Sequence, residues 1–113
     1  MTFDLQIENA ATILRQGGII AYPTEAVFGL GCDPFNQLAV ARIKQLKNRS
    51  PQKGLIMIGA CWEQLQSFTA PIPKENLTRT LATWPGPYTW IFPTADSTPQ
   101  WITGQHNTIA IRV

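Results

Sequence analysis

The chain has 113 residues, 44% of them apolar and only 14% charged, with a formal net charge of +2. That length bounds one folding unit of ordinary domain size, and the composition excludes the low-hydrophobicity, high-charge signature of disordered chains. A charge of +2 is too small for bulk attraction to nucleic acid, so an anionic partner has to be met by a local cluster of cations.

The elements follow in order from hydrophobic spacing. Ile7, Ala10, Ala11 and Leu14 fall at i, i+3, i+4 and i+7, which predicts an amphipathic helix over about 5–16. Gly17 and Gly18 end it, because glycine accepts the left-handed conformation at a helix terminus. The apolar run 19–22 reads as a strand closed by Pro23, which has no amide proton for a ladder bond. Asn36 is placed to cap a second helix over about 37–47, with Ala39, Ile43 and Leu46 on one face and Arg42, Lys44 and Lys47 elsewhere on its surface. The polar loop 48–53 leads into a continuous apolar run, 54–58, expected to be a buried strand.

Two more helical patterns follow, Trp62/Leu65/Phe68 and then Leu77/Leu81/Trp84 behind Pro73. Trp84-Pro85-Gly86-Pro87 reads as a rigid turn, and 88–92 as an aromatic and β-branched strand stopped by Pro93. In the last segment Ile109, Ile111 and Val113 alternate with Ala110 and Arg112, so Arg112 belongs to the face opposite the apolar set. Helices and strands alternate without repeats, which predicts an α+β fold, a mixed sheet with helices packed on it.

The sequence holds no apolar stretch near the ~18 residues of a membrane span, and the N-terminus lacks a basic start followed by an apolar run. A soluble cytoplasmic protein with no membrane partner is expected. Cys32 and Cys61 form no CxxC pair and have no histidine at zinc spacing, so both are expected to be reduced and partly buried thiols. No metal ligand set and no catalytic nucleophile is predicted. His106 is the only histidine, no G-x-S-x-G elbow accompanies it, and it reads as a surface-loop residue. Trp84, Trp90 and Trp101 read as core or rim aromatics rather than base-stacking platforms.

Two segments can carry chemistry. The first is Tyr22-Pro23-Thr24-Glu25 at a strand end with Phe28-Gly29-Leu30-Gly31 after it, read either as a glycine-rich substrate rim or as a tight connection using the same residues for turn geometry. The second is Lys47, Arg49 and Lys53 where a helix passes into a strand. Such a run is either a solvated surface or an anion site in which arginine's planar fork and lysine's point charge share a phosphate. The P-loop and dinucleotide fingerprints are both absent, so any phosphate site has to be built differently.

Taken together, the run from Ala21 to Asp33 (AYPTEAVFGLGCD), Lys47-Asn48-Arg49 with Lys53-Gly54-Leu55, Trp84-Pro85-Gly86-Pro87 and Ala110-Ile111-Arg112-Val113 resemble the N-terminal signature of the YrdC family, in family order and at family-like spacing. The resemblance implies a strongly twisted mixed sheet with an electropositive concave face. It also implies threonylcarbamoyl-AMP synthesis from L-threonine, bicarbonate and ATP with Mg²⁺ assisting, followed by transfer to tRNA by a partner transferase complex. By motif position it assigns Lys47, Arg49, Lys53 and Arg112 to ATP and substrate binding and Thr24 to threonine.

Family members continue into a second half with an S-x-S-A-N type motif, which these 113 residues lack, so the expectation is one YrdC-like domain, 1–113, without the C-terminal portion. The functional alternatives that stay open are a non-catalytic tRNA- or rRNA-binding module and an inactive fragment of the synthase.

Overall fold

A computed structural model describes residues 3–23, 28–50 and 52–113. The chain divides into two compact units, Met1–Ser50 and Pro51–Val113. The mixed α+β architecture expected from the alternating patterns is present, with its strands in two sheets, one in each unit.

In the first unit, helix α1 (Phe3–Arg15) leads to an antiparallel pair, β1 (Ile20–Pro23) and β2 (Phe28–Gly31), followed by helix α2 (Gln37–Leu46). Helix α1 ends as its glycines dictate. Gly17 adopts φ +83°, its N–H donates to the Leu14 carbonyl at 3.0 Å and the Gly18 N–H donates to the Ile13 carbonyl at 2.9 Å, the paired bonds of a Schellman motif. Asn36 caps α2 as expected, its Oδ1 accepting from the Ala39 N–H at 3.0 Å.

Three expectations in this unit need correction. The segment Phe28–Gly31 is a strand, not a glycine loop. Two glycines in four residues lower strand propensity, but the Tyr22 ring lies across them, and a Cβ at either Gly29 or Gly31 would stand 3.1 Å from that ring. On α2 the buried stripe is Ala39, Val40, Ile43 and Lys44, whereas Leu46 is 61% exposed. Lys44, expected on the outer surface, is only 4% exposed.

The second unit is built on a three-stranded sheet in the order β3-β5-β4, from β3 (Ile56–Ile58), β4 (Trp90–Pro93) and β5 (Thr108–Arg112). Strand β5 is parallel to β3 and antiparallel to β4, with Ala110 between Ile56 and Ile91 in the register. Helices α3 (Trp62–Leu65), α4 (Lys74–Leu81) and α5 (Gln100–Thr103) and the 3-10 turn Gln66–Phe68 complete the unit. The four-residue α5 lies where the sequence offered no helical period to read.

Strand alternation divides this sheet into two unlike faces. Met57, Phe92, Ile109 and Ile111 point to one side and join Leu65, Phe68 and Ile102 in the core. Ile111 is fully buried, and enclosing a side chain of that size is worth roughly 1.5–3 kcal/mol. Trp62 and Trp84 close the core over Phe92, with ring centroids 5.2 and 6.1 Å from it, so the tryptophans are core and rim residues as expected. On the opposite face Ile56 and Ile91 remain 59% and 65% exposed, so 54–58 is not the fully buried strand its apolar run suggested. No helix among the described residues is long and apolar enough to cross a membrane. Cys32 and Cys61 are free thiols, both half-buried.

Candidate functional site

The first unit presents two of the predicted site residues on a single turn. Lys47 is the C-cap of α2, and its N–H donates to the Ile43 and Gln45 carbonyls. Asn48 follows in the left-handed conformation at φ +54°, donating to the Gln45 carbonyl at 3.0 Å, and the Arg49 N–H returns to the Lys44 carbonyl at 2.8 Å. These are the bonds by which Gly17 and Gly18 end α1, here made without glycine. The turn leaves the side chains of Lys47 and Arg49 exposed on either side of Asn48.

Lys44 adds a third positive group beneath this turn. Burial lowers its amine pKa below the usual 10.5, and the nearby Arg49 charge lowers it further. The helix C-terminus carries partial negative charge, which offsets some of the repulsion among these cations. Any attraction of this turn for an anion comes from its side chains and not from the helix dipole, whose favourable end for anions lies at the other terminus.

The second unit holds Lys53 and Arg112. Lys53 is exposed and precedes β3, whereas Arg112 is half-buried near the end of β5, opposite Ile58. Because β3 and β5 run parallel, these two cations lie at opposite ends of the pair. Arg112 is tied to the Trp84–Pro87 turn, its Nε donating to the Gly86 carbonyl at 3.2 Å. The same turn closes on the strand end through the Gly86 N–H, which donates to the Val113 carbonyl at 3.1 Å. Trp84 Nε1 donates to the Tyr88 carbonyl and Trp90 Nε1 to Thr83 Oγ1, each at 2.9 Å, so the segment that receives Arg112 is itself fixed.

Arg112 shares its sheet face with Ala110, and across the register that face continues into Ile56, Ile58 and Ile91. A cation held at one edge of an aliphatic floor suits a small ligand with an anionic group and an apolar body. Sequence reasoning named Arg112 as a candidate but gave no sign of the Gly86 carbonyl that orients it, since 26 residues separate the two. Thr24, predicted for threonine, lies outside the described residues. His106 is an exposed loop residue, as expected. Among the described residues no three His, Cys, Asp or Glu side chains stand together as a metal site.

Residues 12–113 match the family model described as telomere recombination, that of the Sua5/YciO/YrdC domain. The threonylcarbamoyl-AMP synthase of Coxiella burnetii is 58% identical over 107 residues, which cover 95% of this chain and 58% of that protein. The synthase of Pseudomonas paraeruginosa is 48% identical over 113 residues, covering the whole of this chain and 61% of its own length. This chain thus spans about three fifths of the curated relatives it matches. Among solved structures, P. abyssi Sua5 complexed with L-threonine superimposes with a TM-score of 0.90 at 36% identity, over all of this chain and 33% of that one. E. coli YciO shares the fold at TM-score 0.83 and 24% identity, over 96% of this chain and 53% of that one. Because the family model matches nine tenths of this chain and the fold superimposes on Sua5, the chain belongs to the Sua5/YciO/YrdC family.

Proposed function

We propose that this chain carries the N-terminal part of a threonylcarbamoyl-AMP synthase site, using L-threonine, bicarbonate and ATP. The observation that carries the reading is the exposed Lys47-Asn48-Arg49 turn, which sets a point charge and a planar guanidinium one residue apart. Identity of 58% to a protein named threonylcarbamoyl-AMP synthase supports it, as does the likeness to a Sua5 complexed with L-threonine.

The chemistry asks for cations and positioning. The threonine amine attacks the carbon of bicarbonate, with loss of water, to give a carbamate. A carbamate oxygen then attacks the α-phosphorus of ATP, the bond to the bridging oxygen breaks, and pyrophosphate leaves. Bicarbonate, ATP and the carboxylate and carbamate groups are all anionic, so charge neutralisation and alignment supply most of the catalysis and no protein nucleophile is required.

In this reading Lys47 and Arg49 receive the phosphates and the substrate carboxylate, Lys53 and Arg112 are further ATP- and substrate-binding cations, and Thr24 serves threonine. Mg²⁺ enters as an ion carried on the triphosphate, consistent with its habit of binding phosphate oxygens and keeping several waters. The product would then pass to a transferase that modifies tRNA.

The test is to incubate the folded chain with ATP, Mg²⁺, bicarbonate and labelled L-threonine. Threonylcarbamoyl-AMP and pyrophosphate should form together, Arg49→Ala should abolish both, and Thr24→Ala should chiefly raise the threonine requirement. Unchanged turnover in the arginine variant would sink the assignment. RNA affinity with a steep salt dependence and no turnover would instead favour a binding module.

A further inference from the structure

We infer that Asn48 is a positioning residue for anion binding, setting Lys47 and Arg49 by holding the left-handed turn between them. The inference rests on the synthase reading only for the identity of the anion, ATP.

Asn48 is the one non-glycine residue with positive φ among the described residues. Asparagine adopts this conformation several times more readily than most residues, whereas a β-branched residue there is strained. The turn has two consequences for its neighbours. It reverses the chain between Lys47 and Arg49, so both side chains leave a single helix end. It also directs the amides of Asn48 and Arg49 onto the carbonyls of Gln45 and Lys44, next to the helical bond from the Lys47 N–H to the Ile43 carbonyl. Those carbonyls are the acceptors that a helix C-terminus otherwise offers to nearby lysine and arginine side chains. With main-chain donors already on them, they compete less with a phosphate for Lys47 and Arg49. The side chain of Asn48 is not itself asked to touch the ligand, so glycine should replace it and valine should not.

The experiment measures MgATP affinity by calorimetry for the unaltered chain, Asn48→Gly, Asn48→Ala, Asn48→Val and Arg49→Ala, and for Asn48→Val combined with Arg49→Ala. The glycine variant should bind within about twofold of the unaltered chain, the valine variant at least about tenfold more weakly, and alanine between them. Valine should cost less in the Arg49→Ala background than in the unaltered chain, because only Lys47 is then left to position; a general loss of stability would give additive losses. Should the valine variant fail to fold, the order of glycine, asparagine and alanine decides. Equal affinity across the series, a glycine variant as weak as the valine variant, or additive losses in the double variant would each overturn the positioning role and leave the synthase reading intact. Failure of the unaltered chain to bind MgATP would overturn the synthase reading and this role with it.

Discussion

The Nε of Arg112 donates to the main-chain carbonyl of Gly86 at 3.2 Å, so the central strand β5 and the turn that precedes β4 hold one guanidinium between them. A side chain with several rotatable bonds loses much of its conformational freedom on binding a ligand, and a donor–acceptor bond already made in the free protein meets part of that cost beforehand.

Gly86→Ala tests this arrangement. A Cβ at that position would stand 2.6 Å from the Thr83 carbonyl oxygen, which is main chain and cannot swing aside. The turn has to shift, taking with it the acceptor for Arg112 and the N–H that donates to Val113. We expect a loss of roughly 1–3 kcal/mol in urea unfolding. A midpoint equal to that of the unaltered chain would show that the turn yields without cost.

Gly104→Ala should be at least as damaging, for a different reason. Gly104 sits at φ +66°, ψ −135°, a region nearly closed to residues with a Cβ, and an added Cβ would run into the Gln52 carbonyl. That carbonyl accepts from the Gln105 N–H at 2.9 Å, so relieving the clash also breaks the tie between the segment before β3 and the end of α5. A loss of about 2 kcal/mol or more is expected from urea titration followed by circular dichroism.

Which parts of this were legible in sequence follows from how local each cause is. Gly17 and Asn36 act on amides within a few residues, and the structure shows the helix ends they predict. The alternation of Ile109 and Ile111 with Ala110 and Arg112 likewise fixed the faces of β5. Phe28–Gly31 was misread because its strand character depends on a partner strand and on the Tyr22 ring across the glycines. The buried stripe of α2 was misplaced toward Leu46 because a lysine is assumed to face solvent, and Lys44 does not. In the candidate site, Lys47 and Arg49 were visible as a charged pair and Arg112 as a lone charge on a strand face. The left-handed Asn48 and the Gly86 acceptor depend on backbone geometry that residue types only suggest.

Cys32 gives a prediction in solution chemistry. Burial raises its thiol pKa above the usual 9.0, and the neighbouring Asp33 charge raises it further. Since the thiolate is the nucleophile, iodoacetamide should modify Cys32 in the folded chain more slowly than in urea at pH 8, and its rate–pH midpoint should lie above 9.0. Mass spectrometry of the peptides distinguishes it from Cys61, and a midpoint at or below 9.0 would contradict the prediction.

Lys44 should make stability depend on alkaline pH. Its folded pKa lies below the unfolded value of 10.5, so between those two values the unfolded chain binds more protons at this site than the folded one. The stability contribution therefore rises with pH through that window, as the cost of holding a buried ammonium fades, and it is least favourable at and below neutral pH. Cys32 acts in the opposite sense. Its raised pKa keeps the proton on the folded thiol above 9.0, so its contribution falls as pH rises from there. Both effects act at alkaline pH, and they separate by working in a Cys32→Ser background. In that background, urea midpoints measured from pH 7 to 10.5 should climb relative to those of a Lys44→Met variant, which keeps the aliphatic length but has no proton to exchange. Parallel curves for the two proteins would mean that Lys44 is as well solvated when folded as when unfolded.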